Sequence, residues 1–279
     1  MKKNPDRLLK PAATCFVLLA ALALAILPAR GLTVLAGWDV GAEEYGGPTN
    51  LVPATVAAGL DVTDLLRGSG VNEGSANYSF GGSHWNCTNE TTAIASNEFI
   101  TCVIAPSNHC TVSFAAVDYL SYNRSGTGPA HGALQYSVDG VNFQEAAALA
   151  YAGSGTLMID LSGIAALQNV GYGTNVTLRI VNWGATGATG TWYVRNGNSS
   201  GNDFEITGTV TQSTATPVPI PLNIQWAGTN VVLTWTDPAG DFSLQAAPQV
   251  AGSYTNVAGT SPCTNAITDA QRFFRLKAN

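Results

Sequence analysis

Residues Thr111–Gln144 read TVSFAAVDYLSYNRSGTGPAHGALQYSVDGVNFQ. Val112, Phe114 and Ala116 alternate with Thr111, Ser113 and Ala115, the period of a strand with one buried face. Leu134, Tyr136 and Val138 alternate in the same way with Ala133, Gln135 and Ser137. Asp139-Gly140 follows at once, and Val141 and Phe143 resume the apolar face. Asp-Gly between two alternating runs predicts a tight hairpin, because a type I′ turn needs positive φ at both central residues. Between the first two strands, Tyr122 to Pro129 (YNRSGTGP) carries two glycines and a proline, which predicts an irregular loop with a shaped backbone.

Working outward, the same period recurs. Thr33–Val40 predicts a first strand with Trp38 on its core face, and Glu98–Ala105 (EFITCVIA) predicts a strand that Pro106-Ser107-Asn108 turns back into the central stretch. Val52–Arg67 reads as two short strands, and Gly68–Thr92 as loop with a short strand at Asn77–Phe80. Beyond Gln144, strands are expected at Thr156–Leu161, Val176–Trp183, Thr191–Arg195 and Phe204–Val210, with one or two helical turns at Ser162–Asn169. About ten short strands with Gly-rich turns and almost no helical periodicity predict an all-β fold, a jelly-roll-like β-sandwich.

Thr211–Pro221 (TQSTATPVPIP) is a Thr/Pro segment, in which Pro217, Pro219 and Pro221 favour an extended chain. It divides a sandwich domain at 32–210 from a small β-sandwich-like C-terminal module at 222–279. In the module, strands are expected at Leu222–Trp226, Asn230–Thr236, Phe242–Ala246, Tyr254–Val257 and Phe273–Lys277. Trp226, Trp235, Phe242, Leu244 and Phe274 are the expected core.

The N-terminus begins MKKNPDRLLK, continues with an apolar run from Ala12 to Leu27, and reaches small residues at Ala29 to Gly31. This order predicts a secretory signal peptide over residues 1–31, cut after Ala29 or Gly31. An uncleaved anchor is the competing reading, but the run is short for a membrane span, and no later stretch is apolar enough to cross. Cys15 lies inside the run, which argues against a lipoprotein. Removing residues 1–31 takes away five of twelve basic and one of eighteen acidic residues, leaving seven against seventeen and a net charge of −10. Nucleic acid is therefore not an expected partner, because phosphate contacts need a basic face.

The quoted runs also carry a resemblance. SGTGPAHGALQYSVDGVNF (125–143), DLSGIAALQNV (160–170), GTWYVRN (190–196) and NDFEITGTV (202–210) resemble a β-sandwich domain of secreted bacterial proteins, common in PEP-CTERM-type and Verrucomicrobia-like exoproteomes. The tail from Asn230 (NVVLTWTDPAGDFSLQ onward) resembles a C-terminal module recurrent in secreted proteins of the same bacteria. The Pro-Glu-Pro sorting signal of PEP-CTERM proteins is absent, and Cys263 stands where the module usually has an aromatic. The resemblance implies export and a surface or secreted role, without a reaction.

Candidate chemistry is sparse. His84, Cys87, Cys102, His109 and Cys110 could form a zinc site, but Cys87 to Cys102 matches no standard metal spacing and an oxidising compartment favours disulfides. If Pro106–Asn108 closes a hairpin, Cys102 faces Cys110, and that pair is the expected disulfide. Cys87–Cys110 is the alternative. With Cys102 and Cys110 paired, Cys87 and Cys263 are left to pair across the domains or stay free. Carboxylates lie close in sequence at Glu43-Glu44, Asp61 with Asp64, and Asp203 with Glu205, and a glycosidase needs two facing carboxylates. Exposed strands carry such pairs without catalysis. No G-x-S-x-G elbow is present for a serine hydrolase.

Sugar binding needs exposed aromatic faces for stacking and polar groups for hydroxyls. Trp85, Tyr122, Asn123, Arg124, Trp183 and Tyr193 are the candidate ligand-binding residues, although the plainer reading of each tryptophan is core. Asn196–Asp203 (NGNSSGND) offers oxygen ligands that could hold calcium at Asn196, Asn198, Asn202 and Asp203, but the preferred reading is a simple turn, and no cofactor is expected. The expected function is a secreted or cell-surface, non-catalytic binding protein with polysaccharide as its ligand class. The alternatives are a polysaccharide-acting enzyme with a carboxylate pair, or a structural surface component.

Overall fold

A computed structural model describes residues 31–43, 49–195, 200–213, 217–268 and 270–279. The expected signal peptide lies outside the described residues except for Gly31. Residues 31–279 form one compact unit.

The chain opens with β1 (Thr33–Trp38) and four short strands, β2 (Asn50–Leu51), β3 (Thr55–Val56), β4 (Leu60–Val62) and β5 (Leu65–Arg67). Then come β6 (Ser79–Ser83), helix α1 (Glu90–Ala95), β7 (Phe99–Pro106), β8 (Cys110–Arg124), β9 (His131–Ser137) and β10 (Gln144–Ala150). The sandwich ends with β11 (Ser154–Asp160), a 3-10 turn at Ala165–Leu167, β12 (Val170–Gly171), β13 (Val176–Trp183), β14 (Thr191–Arg195) and β15 (Phe204–Gln212). The tail holds β16 (Asn223–Ala227), β17 (Asn230–Thr234), β18 (Phe242–Ala247), β19 (Thr255–Asn256), β20 (Cys263–Ala266) and β21 (Phe273–Ala278).

The fold is all-β, built from antiparallel sheets. One sheet runs β3-β1-β15-β8-β14-β6, and the other β10-β9-β13-β7-β5-β2 with β4 also on β7. Successive strands alternate between them: β6 to β7, β8 and β9 each cross to the opposite sheet, as in a jelly roll. Inward residues of both sheets share one core, including Trp38, Phe114, Trp192 and Phe204 from the first and Ile100, Ile104, Leu134 and Leu178 from the second. Trp38 stacks on Phe204 at 5.1 Å.

β8 organises the first sheet. It runs fifteen residues, and β15 and then β14 follow one another along one of its edges, while β12 and β11 line the other. Bulges opposite Val117 shift its phase, so Val117, Leu120 and Tyr122 point inward and Tyr119, Ser121 and Asn123 outward. The strand therefore continues through Tyr122, Asn123 and Arg124, which the sequence suggested were loop.

Three further expectations are corrected. β7 and β8 do not pair as a hairpin; the turn between them carries the chain from one sheet to the other. Cys102 faces the core of the second sheet, Cys110 packs beneath Gly59, and both thiols are free, as are Cys87 and Cys263. The Asp139-Gly140 hairpin does join β9 and β10, but Tyr136 pairs with Gln144, so the loop is longer than two residues. The Asp139 carboxylate accepts from the Val141 and Asn142 amides, which widens the turn and leaves Val141 78% exposed. Helix α1 begins within the stretch expected to be loop and ends before the expected strand at Glu98. Asn89 caps it by accepting from Thr92 N at 3.0 Å, with Glu90 in the first turn.

The tail forms two three-stranded sheets, β16-β17-β20 and β19-β18-β21, around Leu233, Leu244 and Cys263 with Trp235, Phe274 and Leu276 packed against them. Strand β20 was not foreseen. Trp226 was expected in this core and is instead 74% exposed.

Candidate functional site

The groove with the chemistry closest to a polar ligand lies on the outer face of the first sheet. Its lining comprises Tyr119, Ser121, Tyr122 and Asn123 of β8, Ser154, Gly155 and Thr156 of β11, and Arg195 at the end of β14, around a volume of about 360 Å³. That is within the usual range for a small-molecule site. The groove exists because the neighbour of β8 is interrupted: β14 ends at Arg195 and β15 begins at Phe204. At that gap Ser121 bridges both ends, its amide donating to Asp203 O at 2.9 Å and its hydroxyl to Arg195 O at 2.6 Å. Cross-strand pairing sets Asn123 beside Ser154 and Ser121 beside Thr156, so amide and hydroxyl groups form two adjacent rows. Tyr119, opposite Glu205, supplies an aromatic ring on the same face.

The sequence-predicted ligand residues distribute unevenly around this groove. Asn123 lines it. Tyr122 lines it only from beneath: its ring packs inward on Tyr151 at 4.9 Å, and its hydroxyl accepts from Ala152 N at 3.3 Å. Tyr193, paired with Asn123, shares the face but is covered, with the backbone of Ser75 and Ala76 at its hydroxyl; burial pushes its phenol up. Arg124 is a structural clamp, donating to the carbonyls of Tyr151 (3.1 Å), Gly126 (3.1 Å) and Gly128 (2.9 Å) and so shaping the Gly-rich loop. Trp85 is a correction: it is 0% exposed, bonds Gly82 O at 3.0 Å, and meets Trp192 edge-on at 5.7 Å. Trp183 is half-buried at the end of β13 and stacks on exposed His131 at 6.4 Å, apart from the groove lining. Sequence reasoning missed Tyr119, Ser121, Ser154, Thr156 and Arg195. Their alternation on β8 and β11 was visible, but the bulges that set which side faces out were not.

The remaining chemical candidates are held apart or already engaged. Asp203 is fully buried and its Oδ2 accepts from Val40 N at 2.8 Å, tying β15 to the end of β1. Glu205 accepts from Asn202 Nδ2 at 2.8 Å. The pair weighed for catalysis thus anchors backbone and a neighbouring amide. Asp61 accepts from Ser107 and Asp64 from Asn50, and Glu44 lies outside the described residues. Of the candidate calcium ligands, Asn196 and Asn198 lie outside the described residues, and Asn202 also accepts from Thr55 Oγ1 at 3.3 Å. Among the described residues no three His, Cys, Asp or Glu side chains converge, and the residues weighed for zinc lie apart: His84 bonds Asn72 and Ser83, Cys102 is in the core, and His109 lies 3.1 Å from Asp241 of the tail. Burial raises the Cys102 thiol to about 12. No helix among the described residues is long and apolar enough to cross a membrane.

A scan of the chain against protein-family models matches none, and a search of the curated proteins finds no match.

Proposed function

We propose that this is a secreted or cell-surface binding protein without a catalytic centre, and that its ligand is a polysaccharide held in the groove over β8 and β11. The observation that carries this reading is the composition of the lining: a tyrosine ring, two serines, a threonine, an asparagine and an arginine. Such a set stacks on a sugar ring and bonds its hydroxyls as both donor and acceptor. The lining holds no carboxylate, imidazole or thiol to move a proton or attack a glycosidic carbon, which favours binding over the alternative of a carboxylate-pair enzyme. The N-terminal signal pattern and the resemblance to secreted bacterial sandwich domains support export. The acidic net charge argues against nucleic acid as the partner.

The test is retention of the chain from residue 32 onward on a panel of insoluble polysaccharides, with and without calcium, followed by analysis of any released sugar. Retention without products supports the proposal. Released oligosaccharides would establish an enzyme, and no retention on any member would leave the structural-component reading in its place.

A further inference from the structure

Strand β16 (Asn223-Ile224-Gln225-Trp226-Ala227) is exposed along its whole length, with Ile224 at 54% and Trp226 at 74%. It pairs with β17 on one side only, and no strand among the described residues pairs with its other edge. A two-residue turn, Gly228-Thr229, joins it to β17, so Ala227 and Asn230 form the first hydrogen-bonded pair. By alternation, Asn223, Gln225 and Ala227 direct their backbone groups to β17, whereas Ile224 and Trp226 direct theirs to the open edge. Edges of this kind are ordinarily blocked by charge or by an in-strand proline. This strand contains neither.

We infer that β16 is a self-pairing edge, and that its partner is β16 of a second copy of this chain. Three features select that occupant. First, the strand is nearly symmetric about Gln225. Antiparallel pairing centred there sets Ile224 against the second copy's Trp226 and Trp226 against its Ile224, with Gln225 facing its own counterpart. Second, the backbone parity agrees: Ile224 and Trp226 both present free groups, so this register closes four N–H···O bonds across the two-fold axis. Third, the charge distribution favours approach through the tail. Residues 32–210 carry fourteen acidic and four basic side chains, whereas residues 222–279 carry three of each. Two sandwiches repel one another, and two tails do not.

The face that pairing would cover is apolar. Trp226 lines a groove of about 230 Å³ with Val231, Ile267 and Phe274, at the uncovered margin of the tail core. Two five-residue strands bury far less than a standard interface, so the dimer is weak, with a dissociation constant of roughly 0.1 mM. It gains importance where chains are concentrated on a surface or along a shared polymer, since two linked sites bind more tightly than one.

The experiment is sedimentation velocity on residues 32–279 from about 5 µM to about 1 mM. The chain is expected to pass from monomer to dimer. Gln225→Arg and Gln225→Glu each set like charges face to face at the axis and weaken self-association about five-fold, while their equimolar mixture restores it. Gln225 is exposed, and unchanged circular dichroism confirms that both variants fold. A monomer at 1 mM, self-association unaffected by either charge, or a mixture no tighter than its components would each overturn the inference. So would a chain that stays monomeric while Trp226→Lys abolishes polysaccharide retention, which would give this face to sugar.

Discussion

Trp85 separates a ligand contact from a core residue, and its replacement by alanine distinguishes them quantitatively. The indole is fully enclosed, packs edge-on against Trp192 at 5.7 Å, and donates to Gly82 O at 3.0 Å. Truncating a buried tryptophan costs about 3–5 kcal/mol in lost transfer energy and cavity formation. The edge-on aromatic contact adds to that loss and places this site in the upper half of the range, about 4–5 kcal/mol. Domains of this kind are stable by only about 5–15 kcal/mol, so the variant is expected to lie near the limit of folding. Urea unfolding followed by far-ultraviolet circular dichroism should show a midpoint shift of that size at unchanged slope. Trp85→Phe keeps a ring but loses the hydrogen bond and part of the volume, and should lose about 1–2 kcal/mol. At low temperature, where both variants remain folded, polysaccharide retention should equal that of the parent chain. A Trp85→Ala loss below about 1 kcal/mol, or lost retention in a fully folded variant, would refute the packing argument.

Other outcomes follow from the same geometry. Iodoacetamide at pH 8 should modify half-buried Cys87 in the native chain and spare Cys102, whose thiol burial raises to about 12, until urea unfolds the protein; mass spectrometry of peptides reads this directly. Burial also raises Tyr151, so Cys102 and Tyr151 both have folded pKa values above their unfolded ones. Their contribution is complete below the unfolded pKa and is lost as pH rises toward the folded one, so the urea midpoint should fall between pH 9 and 12. The Cys102 part is up to about 4 kcal/mol, and Cys102→Ala should flatten that fall. Arg124→Lys keeps the charge but not the fork that holds three carbonyls, and should lower stability by about 2 kcal/mol in thermal unfolding while loosening residues 125–129 to proteases.

Much of the fold was legible because period-two alternation survives wherever one face is buried, as in Phe99–Pro106 and Val176–Trp183. What failed depended on non-local facts. Tyr122–Arg124 looked like loop because Gly126, Gly128 and Pro129 follow at once, yet pairing with β11 and β14 keeps them in the sheet, and the bulges opposite Val117 set which side faces out. Cys102 and Cys110 looked opposed because a short turn between strands suggests a hairpin; only the topology reveals a crossing between sheets. Trp85 and Trp226 show the same limit in opposite directions. Trp85, among polar neighbours, is drawn under the sheet by contact with distant Trp192, while Trp226, on a clear alternating strand, stays exposed at the margin of the tail core. Of the site, Asn123 and, from beneath, Tyr122 were identified in advance. Thr156 reaches it by pairing with Ser121 from one edge of β8, and Arg195 from the end of β14 at the other, both set by non-local pairing.

The central claim, that the groove over β8 and β11 holds a sugar, is tested most directly by titrating the best-retained polysaccharide in soluble form into the parent chain, Tyr119→Ala and Trp183→Ala, by calorimetry. Loss of a stacking aromatic costs about 1–2 kcal/mol, so Tyr119→Ala should bind at least five-fold more weakly while Trp183→Ala binds as the parent does. Equal affinity for Tyr119→Ala and the parent, with binding lost in Trp183→Ala, would contradict the account and move the site to the His131–Trp183 end of the sandwich.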